Sequence, residues 1–440
     1  AASDVYKRQI MSGAVMSRGQ ISQRLVDFAQ ALIGWVPGGM AMSGVIACML
    51  FAAISGSSPA TVVAIGTMMG PALIAEGYRE RFSHGLLTSA GSLGILIPPS
   101  IPMIVYPIVN QTAVIEVERL FASGFGPGLV MGSILIGYSF YQGIVDKVPT
   151  APFKFKKLAA ATRDGFWALM FPILILGGIY GGIFNAVEAS AVSVAYAVVV
   201  EVWLHRALKL KAIPGIFAET GVFLGSFLVI LVMALALGEF LEKEEIPALM
   251  VEWMQGKDLE YWQFLLLLNL ILLAVGMMMD ILSAMFVFVP MLAPIAASMG
   301  VDPMHFGIIF IVNLEIGYLT PPVGLNLFVA SALYEKGLGH VIRAVAPFVG
   351  LMLIGLGVIT WYPQLSIGLG NAIMGGDPNA MVDEDGDGVD DRGEAAGGMP
   401  TMEEMMREAM ETEGLEGDVD FDDDDEDLED EEELEDEDFE

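Results

Sequence analysis

Asp280 is the residue whose place in the sequence most clearly points to chemistry. It is the only Asp or Glu between Tyr261 and Gly300, in a stretch that is otherwise largely apolar. A charge at the centre of a bilayer costs about 2.5–3.5 kcal/mol on insertion scales, so a cation is the expected partner of an acid in such a place. An ion pair with a buried base is the alternative interpretation, which leaves Asp280 only a structural role.

Three further breaks interrupt apolar sequence. The first is ISGSSPA at 54–60, and the others are the proline pairs Pro98-Pro99 and Pro321-Pro322. A helix broken inside a membrane frees backbone carbonyls at one end and N–H groups at the other. Sodium prefers oxygen ligands such as carbonyls and hydroxyls, whereas the N–H end attracts a carboxylate. Alternatively, the serines only let helices pack closely and the prolines only kink them.

The composition indicates which elements must hold these breaks. The chain has 440 residues, 55% of them hydrophobic, and a mean hydropathy of +0.62. A helix of about 20 apolar residues spans a bilayer, and six runs have this character: 129–145, 166–180, 186–204, 222–237, 264–279 and 345–362. We predict an all-α polytopic membrane protein. A single cysteine, Cys48, excludes an intrachain disulfide, and no Ser/His/Asp or Cys/His arrangement suggests an enzyme. We expect no nucleic-acid partner.

The breaks occur twice, 223 residues apart. This offset places Pro98 on Pro321, Gly94 on Gly317, and the break at 54–60 on 277–283, which contains Asp280. A tandem duplication accounts for these matches better than chance does. Each repeat is predicted to contain a re-entrant helical hairpin with its tip at the break, a transmembrane helix broken at the proline pair, and a final helix.

Basic loops indicate that the two repeats are inverted. Lys and Arg collect in cytoplasmic loops, which places the loop 147–163 and the mouth of the first hairpin, with Arg79 and Arg81, inside the cell. The mainly acidic loop 239–260 and the mouth of the second hairpin near Gly300 are then outside. Broken helices at matching positions of inverted repeats indicate the midplane binding site of a transporter.

We assign residues 11–150 to the first repeat and 151–370 to the second. Three predicted spans precede the second hairpin, so the first repeat is expected to lack about two helices and the chain to be N-terminally incomplete. Residues 1–10 are polar and match nothing in the second repeat, so we set them apart as an unmatched N-terminal segment, with an artefact of the sequence as one interpretation. Residues 371–440 are an acidic tail, because 377–440 holds 32 of the 54 acids and two of the 21 bases. Such a tail is expected to be disordered, and the topology places it in the periplasm.

Part of this tail, 383–394, fits a twelve-residue calcium loop. The sequence DEDGDGVDDRGE supplies candidate calcium ligands at Asp383, Asp385, Asp387, Val389 (through its carbonyl) and Glu394. The alternative is an acid-rich disordered segment that matches by composition, since Asp390 stands where an aliphatic residue is usual. A calcium-dependent interaction module would be compatible with transport.

Four motifs occur in order between Met11 and Tyr362: RLVDFAQALIGW, ISGSSPATVVAIG, GSLGILIPPSIPMIVY and GVDPMHFGIIFIVNLEIGYLTPPVGLNLFV. With the inverted repeats, they resemble the large membrane subunit of tripartite ATP-independent periplasmic (TRAP) transporters, DctM-like proteins of the ion transporter superfamily. The resemblance implies a sodium-coupled, elevator-type importer in the bacterial inner membrane. A periplasmic binding protein would deliver an organic acid, often a dicarboxylate or sugar acid. A small membrane subunit, expected as a separate chain, would brace the scaffold.

The resemblance also implies two sodium sites. The first would combine Ser55, Gly56, Ser57 and Ser58 with Gly94, Pro98 and Ser100, and the second would combine Met279 and Asp280 with Gly317, Thr320 and Pro321. A carboxylate substrate between the tips would meet Ser58, Thr61, Asn313 or Asn326. Lys and Arg are nearly absent from these segments, so sodium and helix ends would offset the substrate's charge. Glu188 and Glu315 also lie in apolar sequence, and scaffold contacts and function stay open for both.

Two other classes of function stay open as well. A stand-alone inverted-repeat transporter, such as an Na⁺/H⁺ antiporter or a citrate-type symporter, would not depend on a periplasmic binding protein. A membrane-embedded enzyme would need an intramembrane catalytic pair or a metal cluster, which the sequence does not contain.

Overall fold

All regular structure in the described part of the chain is helical. The computed structural model describes residues 2–110, 112–148, 150, 152–244 and 260–374, which contain 17 α-helices. Six of these helices are long and apolar enough to cross a bilayer, or seven if the pair Phe155–Asp164 and Phe166–Tyr180, bent by 63°, forms one span. The prediction of an all-α polytopic protein is confirmed. The candidate calcium loop 383–394 lies outside the described residues.

The first repeat contains the predicted hairpin, broken helix and final helix. In chain order its helices are α1 (Ala2–Ser17), α2 (Ile21–Ile33), the hairpin arms α3 (Gly39–Ser55) and α4 (Ser58–Ala75), the broken helix α5 (Glu80–Ser92) and α6 (Ile101–Val109), and the final helix α7 (Val117–Val145). A short 3₁₀ turn, Leu93–Ile95, lies in the break between α5 and α6.

The second repeat has the same elements after a set of additional helices. These are α8 (Phe155–Asp164), α9 (Phe166–Tyr180), α10 (Ala186–Val199, extended by a π-helical turn to Leu204) and α11 (Ile213–Lys243). The hairpin arms α12 (Tyr261–Met278) and α13 (Ile281–Ser298), the broken helix α14 (Pro303–Gly317) and α15 (Leu325–Leu333), the final helix α16 (Leu338–Trp361) and α17 (Gln364–Met374) follow.

The bounds of the helices confirm the repeat. Shifted by 223 residues, the range 58–75 of α4 becomes 281–298, which are the bounds of α13. The same shift moves the first residue of α5, Glu80, onto Pro303, the first residue of α14. Both hairpins and both broken helices are therefore present at equivalent positions.

A hydrogen bond between equivalent residues shows how the two repeats are related. The hydroxyl of Ser92, at the end of α5, donates a hydrogen bond to Oε1 of Glu315, near the end of α14, over 2.9 Å. The two residues are one repeat length apart, and equivalent residues touch only where they lie close to the axis that relates them. This contact places the ends of the two half-helices at a pseudo-two-fold axis, as inverted repeats require.

The two broken helices form the centre of the protein. Every residue from Phe82 to Ser92 in α5 and from Met304 to Gly317 in α14 is buried. Glycines allow this close packing, because a Cβ on Gly91 would lie 2.4 Å from Cγ2 of Val62 in the neighbouring hairpin arm. The breaks in these helices are consequently held inside protein, where irregular backbone at membrane depth is tolerated.

Most of the N-terminal segment that was set apart, from Ala2 onward, belongs to the regular helix α1. Within α1, Arg8 donates to the carbonyl of Val187 in α10 over 3.1 Å, and Ser12 donates to the carbonyl of Ser193 over 3.2 Å. Shifted by 223, the range 2–17 becomes 225–240, inside α11. Arg8 and Ser12 thus attach α1 to backbone carbonyls of α10, and the helix has a place in the fold.

Candidate functional site

The tip of the first hairpin is built from small residues and hydroxyl groups. Helix α3 ends at Ser55, and Gly56 turns the chain in the left-handed region with φ 60°. Only glycine adopts that conformation readily, and α4 then begins at Ser58 with Ser57 as its N-cap. The hydroxyl of Thr61 donates to the carbonyl of Ser57 over 2.8 Å and lies 3.0 Å from the hydroxyl of Ser55. Several oxygen atoms therefore converge at this tip.

The break in the first broken helix packs directly on this tip. The N–H of Ile101, at the start of α6, donates to the carbonyl of Gly56 over 3.4 Å. On the other side of the break, a Cβ on Gly94 would lie 2.6 Å from the carbonyl oxygen of Ser57. Pro98 and Ser100 are buried beside it, and the Ser100 hydroxyl donates to the carbonyl of Ile95. All residues predicted for the first sodium site are thus brought to one region.

Asp280 holds the equivalent position at the second tip. It is the N-cap of α13, as Ser57, one repeat length earlier, is the N-cap of α4. Its carboxylate accepts hydrogen bonds from the N–H groups of Leu282 and Ser283, each over 3.1 Å, and from the hydroxyl of Ser283 over 2.6 Å. Among the described residues, no Lys, Arg or His forms an ion pair with Asp280. The structural alternative of a buried base is therefore unsupported in that part of the chain.

The second break packs on the second tip through different contacts. The N–H of Val323 donates to the carbonyl of Met277 over 3.0 Å, and the hydroxyl of Tyr318 accepts from the N–H of Ile281 over 2.7 Å. Gly317 lies so close to the hairpin that a Cβ there would be 2.4 Å from the carbonyl carbon of Gly276. Thr320 and Pro321 follow in the break, and Pro321 is exposed whereas Pro98 is buried.

Both tips border one cavity of about 450 Å³. Its walls include the first tip, Asp280 and Leu282 at the second tip, Tyr318 at the second break, and Ile10, Gly13 and Ala14 from α1. Among the described residues there is no group of three or more His, Cys, Asp or Glu that could hold a metal ion. A cation at either tip would therefore bind mainly to backbone and hydroxyl oxygens, with Asp280 as the only carboxylate in the cavity wall.

The candidate substrate residues divide into two groups. Asn326, at the start of α15, donates its amide to the hydroxyl of Ser58 over 2.6 Å, which links the second break to the first tip. Thr61 lies at the same tip but is fully buried, with its hydroxyl already bonded. Asn313 is not brought to the cavity, because its amide donates to Asn269 in α12 over 2.6 Å. A role in substrate binding stays a prediction for all four.

Sequence reasoning overlooked helix α1 as part of the cavity wall, and it gave no role of its own to Tyr318, which lies inside the predicted segment 317–321. Tyr318 stands where the first repeat has Ile95, so the repeat itself did not single it out. Helix α1 was missed because residues 1–10 were set apart. For Glu188, the structure favours a scaffold contact, since its side chain and that of Asn185 form a reciprocal N-terminal capping box on α10. The sequence NAVE already carries that signature.

Comparison with known proteins identifies the family. The family described as the tripartite ATP-independent periplasmic transporter, DctM component, matches residues 8–365. The C4-dicarboxylate TRAP transporter large permease protein DctM of Pseudomonas aeruginosa is 40% identical over 363 residues, which cover 82% of this chain and 84% of that protein. The isethionate TRAP transporter permease protein DctMQ of Oleidesulfovibrio alaskensis is 38% identical over 360 residues, covering 81% of this chain and 56% of that protein.

The fold is also similar to that of a solved transporter. The crystal structure of the YdaH transporter of Alcanivorax borkumensis superimposes with a TM-score of 0.62 over 83% of this chain and 86% of that one, at 13% identity. At this identity the likeness concerns the fold alone. The sequence relatives are transporter permeases rather than enzymes, and the family match covers all the helices that build the cavity. The chain belongs to the DctM family of large membrane permeases of TRAP transporters.

Proposed function

We propose that this chain imports an organic carboxylate by secondary active transport coupled to sodium, with an elevator movement of the hairpins and broken helices. The observation that carries the proposal is the single cavity bordered by both hairpin tips and by Asp280. Two broken elements from inverted repeats meet there, which is the arrangement expected for a midplane binding site.

Sodium would bind where each tip touches its break. At the first tip the ligands would come from Ser55–Ser58 and from 94–100, and at the second from Met279, Asp280 and 317–321. Oxygen ligands of this kind suit a hard cation. The buried Oδ1 of Asn326 has no hydrogen-bond partner in the described residues and adds an acceptor beside Ser58. Sodium at both positions would make the cavity attractive to an anion that otherwise meets no Lys or Arg in its wall.

The proposed substrate is a small organic acid of the C4-dicarboxylate type. The relative from Pseudomonas aeruginosa is named for C4-dicarboxylates, and that from Oleidesulfovibrio alaskensis for isethionate. Each is a small organic anion, which fits a cavity that has two helix N-termini, of α4 and α13, at its wall. The carboxylate would be received at the N-terminal end of α4, because the N–H groups of Leu282 and Ser283 at the start of α13 already donate to Asp280.

Two protein partners are proposed. A periplasmic binding protein would deliver the acid, and a small membrane subunit would be a separate chain. The complex would lie in the bacterial inner membrane with the acidic tail of this chain in the periplasm.

Reconstitution tests the proposal. The full chain would be placed in liposomes with a candidate small membrane subunit and a candidate binding protein from the same organism, and uptake of radioactive C4-dicarboxylates would be measured with and without an inward sodium gradient. We expect uptake only with both the gradient and the binding protein. Uptake that needs no binding protein would favour the stand-alone transporter, and uptake that is indifferent to sodium would contradict the coupling.

A further inference from the structure

A second cavity, of about 590 Å³, lies away from the two hairpin tips. It is formed between the start of α5, the C-terminal part of α7 and the N-terminal part of α16. Its lining combines basic side chains and one acid with aromatic rings: Arg79, Arg81, His340, Arg343 and Glu80, together with Phe82, Tyr138 and Phe348. We call it the Arg81–Arg343 cleft.

The positive charge of this cleft exceeds what its own acids neutralise. Glu80 is paired with Lys336 over 2.7 Å, and Asp146 is paired with Arg79 over 3.0 Å. Asp146 also accepts from the amide of Gln142 over 2.7 Å. Both acids near the cleft are therefore already engaged by other groups.

Within the described residues, Arg81 and Arg343 have guanidinium N–H donors that are not bonded to a carboxylate. In the described part of the chain, neither forms an ion pair, and Arg343 uses only Nε, which donates to the carbonyl of Gly339 over 2.8 Å. Both side chains are exposed. The buried Nε2 of His340, on the same wall, also has no hydrogen-bond partner among those residues. Guanidinium groups with free N–H donors are suited to phosphate, which they bind through paired hydrogen bonds.

The aromatic part of the lining is apolar and well packed. The ring centroids of Phe82, Tyr138 and Phe348 lie 5.3–6.0 Å from one another, so each ring contacts the other two. Phe82 and Phe348 are buried. Ala344 and Pro347 complete this side of the cleft. A soluble anion would gain no binding energy from these apolar side chains, whereas the glycerol and acyl part of a lipid would pack against them.

The helix ends around the cleft indicate a position near the depth of lipid headgroups. Two helices that are apolar enough to cross the membrane have their ends here: α7 ends at Val145 and α16 begins at Leu338. Tyr138 and Tyr141 stack near this end of α7, with centroids 6.4 Å apart, and tyrosine is typical of membrane interfaces. The basic loops place this side of the protein in the cytoplasm, where anionic lipid headgroups meet basic pockets between helices.

We propose that the Arg81–Arg343 cleft binds an anionic phospholipid of the cytoplasmic leaflet. The phosphate accepts hydrogen bonds from Arg81 and Arg343, and the first part of the acyl chains contacts the wall of Phe82, Tyr138 and Phe348. Because α5 is the first half of a broken helix and α7 and α16 are the two final helices, the lipid would contact both repeats at once.

Native mass spectrometry of the full purified chain tests this site. The protein is titrated with phosphatidylglycerol, phosphatidylcholine or glycerol phosphate, and bound molecules are counted. The double variant Arg81→Gln/Arg343→Gln is compared with Lys209→Gln/Lys211→Gln, which removes the same charge from exposed residues outside the cleft. Since each basic residue near an anionic surface contributes a roughly fivefold gain in binding, the first variant should bind phosphatidylglycerol about 30-fold more weakly.

Each outcome decides the matter. Weaker binding of phosphatidylglycerol by the cleft variant alone, with weak binding of phosphatidylcholine to the unmodified chain, supports the site. An equal loss of phosphatidylglycerol binding in both double variants, or no loss in either, overturns the proposed site. Binding of glycerol phosphate as tight as that of the lipid would overturn the assignment to a lipid. Arg81→Gln alone, at an exposed residue without an ion pair, provides a folded variant that should still weaken binding about fivefold.

Discussion

Gly317→Ala is predicted to damage the second sodium site through a contact with backbone. A Cβ at this position would lie 2.4, 2.6 and 2.7 Å from the carbonyl carbon, Cα and carbonyl oxygen of Gly276. None of these atoms can rotate away, so α14 and the hairpin arm α12 must separate. Overpacking of this kind costs about 1–3 kcal/mol. This separation would move the second break away from the second tip, with which it would share a cation. We therefore expect roughly 5–100-fold weaker sodium binding at the second site.

Thermal unfolding of the purified chain measures this effect without a substrate. A ligand that binds only the folded state stabilises it by RT ln(1 + [L]/Kd). At a sodium concentration of about ten times Kd, one site would contribute about 1.4 kcal/mol, and a 30-fold weaker site would contribute about 0.2 kcal/mol. The quantity to compare is the gain in stability when sodium replaces potassium at constant ionic strength, so that a general loss of stability is subtracted.

Gly350→Ala in α16 is the matched control, because a Cβ there would meet nothing within 4 Å. Alanine is favoured over glycine inside a helix by about 0.5–1 kcal/mol, so this variant should be as stable as the parent or slightly more stable. It should keep the full gain in stability that the parent chain shows when sodium replaces potassium. A sodium increment that is unchanged in Gly317→Ala, or equally reduced in Gly350→Ala, would refute the reasoning.

Three further experiments test the tips and the axis. Asp280→Asn should keep the cap on α13, and hence stability in potassium within about 0.5 kcal/mol, but lose the part of the sodium stabilisation that comes from the second site, because asparagine caps as well as aspartate yet carries no charge; an unchanged gain in stability from sodium in thermal unfolding would contradict this. Ser57→Ala combined with Ser58→Ala should lower uptake in reconstituted vesicles while the protein still inserts, since it removes the hydroxyl that accepts from Asn326; undiminished uptake would count against the tip. In a double-mutant cycle of Ser92→Ala and Glu315→Ala, measured by denaturant unfolding, the two residues should show a coupling free energy of about 1–2 kcal/mol. Additive effects of the two substitutions would contradict the hydrogen bond at the axis.

The repeat made much of the fold predictable from the sequence. Polar or proline-rich breaks in apolar sequence are rare, and matching them at one offset located both hairpins, both broken helices and both final helices. The positions of Ser57 and Asp280 as equivalent N-caps follow from the same offset. Local sequence was sufficient here because a break in a membrane helix needs particular residues at the break itself.

Contacts between the repeats could not be predicted in this way. The bond from Asn326 to Ser58 joins residues 268 apart, and that from Ser92 to Glu315 joins residues 223 apart. Neither follows from the period of a helix, because both depend on how the two repeats pack. Asn313 was proposed for the substrate on its place in α14, but its partner Asn269 lies in the hairpin arm and is found only from the packing.

The N-terminal helix shows a different limit. The polar residues at the start of α1 suggested a segment without a place in a membrane fold, because polar side chains in apolar surroundings are costly. In the structure, Arg8 and Ser12 bond to carbonyls of α10, and the cost is offset by hydrogen bonds that the sequence does not display. As a result, part of the cavity wall was overlooked.

Direct binding of radioactive sodium to the purified chain, with potassium held constant, tests the central claim that each tip and its break hold the coupling ion. The account predicts saturable binding that Gly94→Ala and Gly317→Ala each reduce and that the two together abolish, because each Cβ would intrude on one tip. Saturable binding that survives in the double variant, or its absence in the unmodified chain, would contradict the account.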